Sequence, residues 1–199
     1  MKLIIDNNFN SNNILLLTSK IIDGFKFTLT MTSDNVIIVL NEKKDLSLIE
    51  NLTFIEIINK QISVRPLNIL LDQFKNFSKE LLFELIDQNK NNKFFIDLIM
   101  VEIQKYKNLS FTFETNNELI QTVLNDTNYT CYLVTKEIKN KIIIKEEGPE
   151  CYFEKITSLP KLYDFFHRHS NTSPMYIIIT NKLKNNIVFN SSLLRLLEE

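Results

Sequence analysis

The sequence predicts a folded protein of the α+β (or α/β) class, and three observations carry that expectation. Hydrophobic residues make up 44% of the 199 residues and aromatics 11%, enough for a sizeable buried core. Charged residues reach 24% but cancel to a net charge of -1. Chains that stay disordered combine low hydrophobicity with high net charge, and this one has neither. The apolar residues also recur at two periods, every second residue in some stretches and every third or fourth in others, as strands and amphipathic helices require. The expected order is a β-rich N-terminal part, central helices with a strand–helix–strand unit, and a small helical C-terminal module.

The elements follow from local pattern. Ile14 to Thr18 is a short apolar run. From Phe25 to Met31 apolar and polar residues alternate strictly, so Phe25, Phe27, Leu29 and Met31 share one face of a half-buried strand. The turn-forming cluster Thr32 to Asn35 separates it from the β-branched run Val36 to Leu40, which predicts a hairpin. Residues 51–58 fit a strand or a helix. Pro66 suits a first helical turn, and Ile69, Leu70, Phe74, Phe77, Leu81, Leu82, Leu85 and Ile86 then recur at helical intervals. Phe94 to Tyr106 reads as a second helix. Ser110 to Phe113 alternates as a strand, Thr115 to Glu118 offers an N-cap for a short helix through Leu124, and Tyr129 to Thr135 returns as a strand. Ile142 to Ile144 adds another.

Gly148-Pro149 marks the expected boundary between an α/β domain, 1–148, and a helical module, 149–199. Within the module Phe153 to Leu159, Leu162 to Phe166, Met175 to Leu183 and Leu193 to Leu197 carry helical spacing. Asn190-Ser191-Ser192 caps the last of these.

Composition must be weighed before chemistry. The chain has no alanine and no tryptophan, and about one residue in eight is Asn. Such usage is what an A/T-rich genome produces, so abundant Lys and Asn report codon bias as much as function. With Gly24 and Gly148 as the only glycines, loops that cradle phosphate through close backbone approach are excluded, and no nucleotide is expected. Near-zero net charge gives nucleic acid no support as a partner. Cys131 and Cys151 stand beside Tyr132 and Tyr152 and read as buried thiols, with neither a disulfide framework nor a metal knuckle. The N-terminus turns polar at Asp6, too early for a signal peptide, and no apolar run approaches the roughly 18 residues of a membrane span. The expected location is intracellular and soluble, cytoplasmic or nuclear. Seven Asn-x-Ser/Thr triplets are what an Asn-rich chain generates by chance.

Few constellations point to catalysis. Both histidines lie in His167-Arg168-His169, where positions two apart diverge on a helix and do not chelate together. Glu80 and Glu84, four apart among lysines, read as a solvated helix face. No catalytic residue, metal site or cofactor is assigned. Tyr163, Phe165, Phe166, His167, Arg168, His169 and Tyr176 instead combine the residue types enriched at interface centres, and form the expected protein-interaction face.

Phe111-Thr112-Phe113 with Asn117 to Leu124, followed by the passage from Ser173-Pro174-Met175-Tyr176 through Ser191 to Leu197, resembles the non-catalytic partner subunit of XPF-type nuclease heterodimers. In that family a nuclease-like α/β domain precedes helical hairpins. The chain departs from it in having no glycine after Gly148. The resemblance implies a heterodimer partner in DNA repair or recombination without nuclease activity. The expected function is therefore a non-enzymatic, protein-binding subunit (a scaffold) of an intracellular complex. One alternative is a hydrolase or nuclease using scattered acids with His167 or His169. Another is an immunity or antagonist protein of a virus or plasmid.

Overall fold

The structure is a computed structural model, and it describes residues 2–6, 22–40, 46–88, 91–138, 141–145, 152–156 and 176–179. The chain forms two compact units, one of residues 27–133 and one combining 1–26 with 134–199. The expected boundary at Gly148-Pro149 lies outside the described residues.

In the unit of residues 27–133, β2 (Gly24–Met31) enters from the other unit and forms an antiparallel hairpin with β3 (Ile37–Leu40), in the register Leu29 with Val39 and Met31 with Ile37. The turn between them is held by Thr32, whose hydroxyl donates to Asp34 Oδ1 at 2.6 Å and accepts from the Val36 amide at 2.9 Å. Asn35 takes φ 65, a left-handed conformation that asparagine tolerates better than most residues. β4 (Val64–Pro66) extends the hairpin as a third antiparallel strand, and a terminal proline is compatible with an edge. The short helices α1 (Leu46–Ile49) and α2 (Phe54–Asn59) cross between β3 and β4 and bury Ile49 and Ile57 against Ile38 and Leu40. Residues 51–58, open between strand and helix in sequence, are thus largely helical. Thr53 decides the matter, because it and Glu56 form a reciprocal capping box at the start of α2.

Three further strands, β5 (Glu80–Leu85), β6 (Ser110–Thr115) and β7 (Thr130–Ile138), pair in parallel. Within this unit the strand order is β7-β6-β5-β2-β3-β4. The helices α3 (Leu67–Phe74), α4 (Asn92–Ile103) and α5 (Glu118–Asn125) lead into β5, β6 and β7 respectively. Asn117 caps α5 by accepting from the Leu119 and Ile120 amides, as the sequence indicated. One face of the sheet is an aromatic core. Phe83 packs 6.0 Å from Phe113, 5.9 Å from Phe111 and 6.4 Å from Phe27, and Phe27 meets Phe74 of α3 edge-on at 5.7 Å.

The expected long helix from Ile69 to Ile86 is corrected: helix ends at Phe74, and Glu80–Leu85 is a strand. A short, nearly continuous apolar run has no decisive period. β5 is an inner strand buried on both faces and parallel to β6, the setting in which strands lose their alternation.

In the other unit the strand order is β1 (Lys2–Asp6), β10 (Tyr176–Ile179), β9 (Tyr152–Ile156), β8 (Lys141–Lys145), with β1 also paired to the start of β2. β1 runs parallel to β10 on one side and to Gly24–Lys26 on the other. β10 is parallel to β9, and β8 is antiparallel to β9. The expected helices from Phe153 and from Met175 are corrected to strands over these ranges. Tyr-Ile-Ile-Ile favours a strand, since β-branched side chains are stiff at χ1 and suit a pleated surface. The expected helices at Leu162 to Phe166 and Leu193 to Leu197 lie outside the described residues, as does the run Ile14 to Thr18.

Candidate functional site

The face of the β2–β5–β6 sheet opposite the aromatic core is polar and buried. Alternation along β2 puts Lys26, Thr28 and Thr30 on one side, against Phe27, Leu29 and Met31 on the other. In-register parallel pairing then sets Glu80 beside Ser110, Leu82 beside Thr112, and Glu84 beside Glu114. Thr28, Thr30, Glu80, Thr112 and Glu114 are all buried, Glu114 to 2% exposure, whereas Glu84 keeps partial access to solvent. Burying such groups is costly unless they are hydrogen-bonded. The Thr112 hydroxyl accordingly donates to Glu80 Oε1 at 2.6 Å, and the Thr28 hydroxyl donates to Glu84 Oε2 at 3.1 Å.

Beyond the C-terminal end of β5 the polar network continues. The Gln88 side-chain amide donates to Thr30 Oγ1 at 2.9 Å and to the Ile86 carbonyl at 3.0 Å, while its backbone amide donates to Asn92 Oδ1 at 2.7 Å. Asn92 in turn donates to Asp87 Oδ1 at 2.7 Å. The polar face is thus tied by hydrogen bonds at Thr28 and Thr30 and leads to the strand ends, where parallel sheets present their ligands.

Cys131 belongs to the other face, in register with Phe113. Burial, aided by the negative charge of Glu114, pushes its thiol up to about 12. It is a packed, protonated thiol and no nucleophile near neutral pH. In the other unit, Asp6 and Lys26 occupy paired positions of β1 and β2, and Lys26 is buried to 5% exposure.

Among the residues expected to form an interaction face, Tyr163, Phe165, Phe166, His167, Arg168 and His169 lie outside the described residues. Tyr176 opens β10, where it pairs with Lys2 and Phe153 in the sheet. The reading of Glu80 and Glu84 as a solvated helix face is corrected: both lie on a strand, and Glu80 is 6% exposed. Missed in sequence were Thr28, Thr112 and Glu114. Their one signal is a Thr or Glu at every second position inside otherwise apolar runs, in Thr28-Leu29-Thr30 and Thr112-Phe113-Glu114. Among the described residues no group of three or more His, Cys, Asp or Glu could hold a metal ion, and no helix is long and apolar enough to cross a membrane.

No family model and no curated protein matches the chain. Among solved structures, a glycerophosphodiester phosphodiesterase from Parabacteroides distasonis is similar over 100% of this chain and 98% of its own, with a TM-score of 0.67 at 14% identity. A putative glycerophosphoryl diester phosphodiesterase from Silicibacter pomeroyi covers 86% of this chain and 69% of its own, with a TM-score of 0.49 and 12% identity. One from Agrobacterium tumefaciens covers 65% of each, with a TM-score of 0.46 and 10% identity. The whole-length likeness to the Parabacteroides distasonis structure overturns the resemblance to XPF-type partner subunits, whose C-terminal helical passage falls in part on strand β10. The expected role as a non-enzymatic scaffold or complex subunit falls with it. That expectation rested on missing local motifs, and acids carried on separate strands leave no local motif. What the likeness establishes is the fold: this chain is built like the phosphodiesterase from Parabacteroides distasonis.

Proposed function

We propose that this chain is a hydrolase of phosphodiesters on a TIM-barrel-like fold, the hydrolase alternative of the sequence reading with different residues. The observation that carries the proposal is the whole-length likeness to a glycerophosphodiester phosphodiesterase. The run of parallel strands and intervening helices in residues 67–138 supports it, because such folds place their chemistry at the C-terminal ends of strands.

The reacting groups in this reading are Glu84 and Glu114, each the second-last residue of its strand and paired in register. Adjacent strands lie about 4.8 Å apart, so the two carboxyl groups can serve one reacting centre. In hydrolysis, water attacks phosphorus and the bond to one ester oxygen breaks. One carboxylate takes the proton from water, and the other carboxyl group gives a proton to the departing alkoxide. Thr28 is a positioning residue, since its hydroxyl fixes one oxygen of Glu84.

The test is hydrolysis of bis(p-nitrophenyl) phosphate by the full chain, with Glu84→Gln and Glu114→Gln alongside. The reading expects turnover by the wild type and a loss of about 10²-fold or more in kcat for each variant, with melting temperatures close to wild type for Glu84→Gln. No turnover by a folded wild type, or full activity in both variants, overturns it.

A further inference from the structure

A pocket of about 230 Å³ opens at the turn of the β2–β3 hairpin, beside the end of α1 and the segment before α4. Ser33, Asn35, Glu50, Asn51, Gln88 and Asn91 line it. Its chemistry is distinctive in two ways. Five of these side chains, Ser33, Asn35, Glu50, Asn51 and Asn91, make no side-chain hydrogen bond to another described residue, and Ser33, Asn35, Asn51 and Asn91 are exposed, where a ligand can reach them. Gln88 is the exception: its amide nitrogen is committed to Thr30 and to the Ile86 carbonyl, which leaves its carbonyl oxygen as a fixed acceptor.

The second feature is charge. None of the described lining residues is Lys, Arg or His, and Glu50 adds a negative group. A phosphate or carboxylate would meet repulsion from Glu50 with no cation among the described lining residues to offset it. Amide and hydroxyl groups, which both donate and accept, match a ligand whose own groups do the same. At about 30 Å³ per water the space holds roughly seven or eight water volumes, enough for a compact polyol up to a hexose or inositol ring. The backbone beneath is fixed: Ser33 N–H donates to the Leu52 carbonyl at 3.0 Å, and Asn35 N–H to the Thr32 carbonyl at 3.0 Å.

We infer that this pocket is a binding site for a small uncharged polyhydroxylated molecule, held by Asn35, Asn51, Asn91 and the Gln88 carbonyl. The site stands on its own lining and does not rest on the hydrolase reading. It is tested by titrating the full-length wild type calorimetrically with myo-inositol, glucose and glycerol, and separately with inorganic phosphate. The variant is Asn51→Leu/Asn91→Leu, at two exposed positions outside the sheet. The expected result is saturable binding of at least one polyol, weakened tenfold or more in the double variant, with an unchanged melting temperature and no competition by phosphate. Absence of saturable binding for all three polyols overturns the inference. So does binding that the double variant leaves intact, or that phosphate displaces.

Discussion

Thr28, Thr112 and Cys131 show how the two faces of one sheet assign opposite chemistry to the residues they carry. On the polar face Thr112 donates to the buried carboxylate of Glu80 at 2.6 Å. Thr112→Val keeps the shape but removes the donor, and should cost about 1–3 kcal/mol in urea unfolding, whereas Thr112→Ser should recover most of that loss. On the apolar face the Cys131 thiol is raised from 9.0 to about 12 by burial and by Glu114. Folding therefore favours its neutral form. The resulting stability is complete below pH 9 and is lost as pH rises toward about 12. Pulse alkylation at pH 8 with peptide mass spectrometry should leave Cys131 unmodified in the native state and modify it in urea. In Cys131→Val the decline of stability above pH 9 should be shallower. Asp34 has the opposite sign: the Thr32 hydroxyl, the largest influence, holds its carboxyl below 3.8 against the opposing effect of burial, with the Phe54 amide adding to the lowering. Its contribution is present above that value and lost as pH falls through the lowered one.

At the scale of elements, packing decides where periodicity does not. Phe83 is fully buried and touches the rings of Phe27, Phe111 and Phe113, so it joins three strands. Phe83→Ala should cost about 3–5 kcal/mol, and Phe83→Leu less than half as much, as read by denaturant midpoints. Sequence showed the hairpin of Phe25 to Leu40 because its alternation and its turn agree. It showed α5 because Asn117, an acidic first turn and the apolar spacing coincide. It misread Leu81 to Ile86 because an inner strand buried on both faces is apolar on consecutive positions, and such a short run satisfies a helical template equally well. β10 was misread for a like reason, being a short apolar run paired in parallel on both sides, and β9 because five residues are too few to show a period. Thr53→Ala removes one half of the box that made 54–59 helical, and should cost about 1 kcal/mol.

For the whole molecule, the class was legible in composition and in the two periods, but the architecture was not. Parallel strands pair residues far apart in the chain, such as Lys2 with Tyr176, and no local window carries that information. The candidate site was hidden by the same topology. Glu84 and Glu114 are separated by a helix in sequence, become neighbours through register, and each alone resembles a surface acid. In the proposed reaction this pair of carboxyl groups does chemistry on a phosphodiester. The most direct measurement is ³¹P NMR of a phosphodiester incubated with purified full-length protein, run in parallel with Glu84→Gln. The account predicts that the diester resonance gives way to a phosphomonoester resonance with the wild type and persists with the variant. A diester signal that persists with folded wild-type protein, or that decays equally with Glu84→Gln, would contradict it.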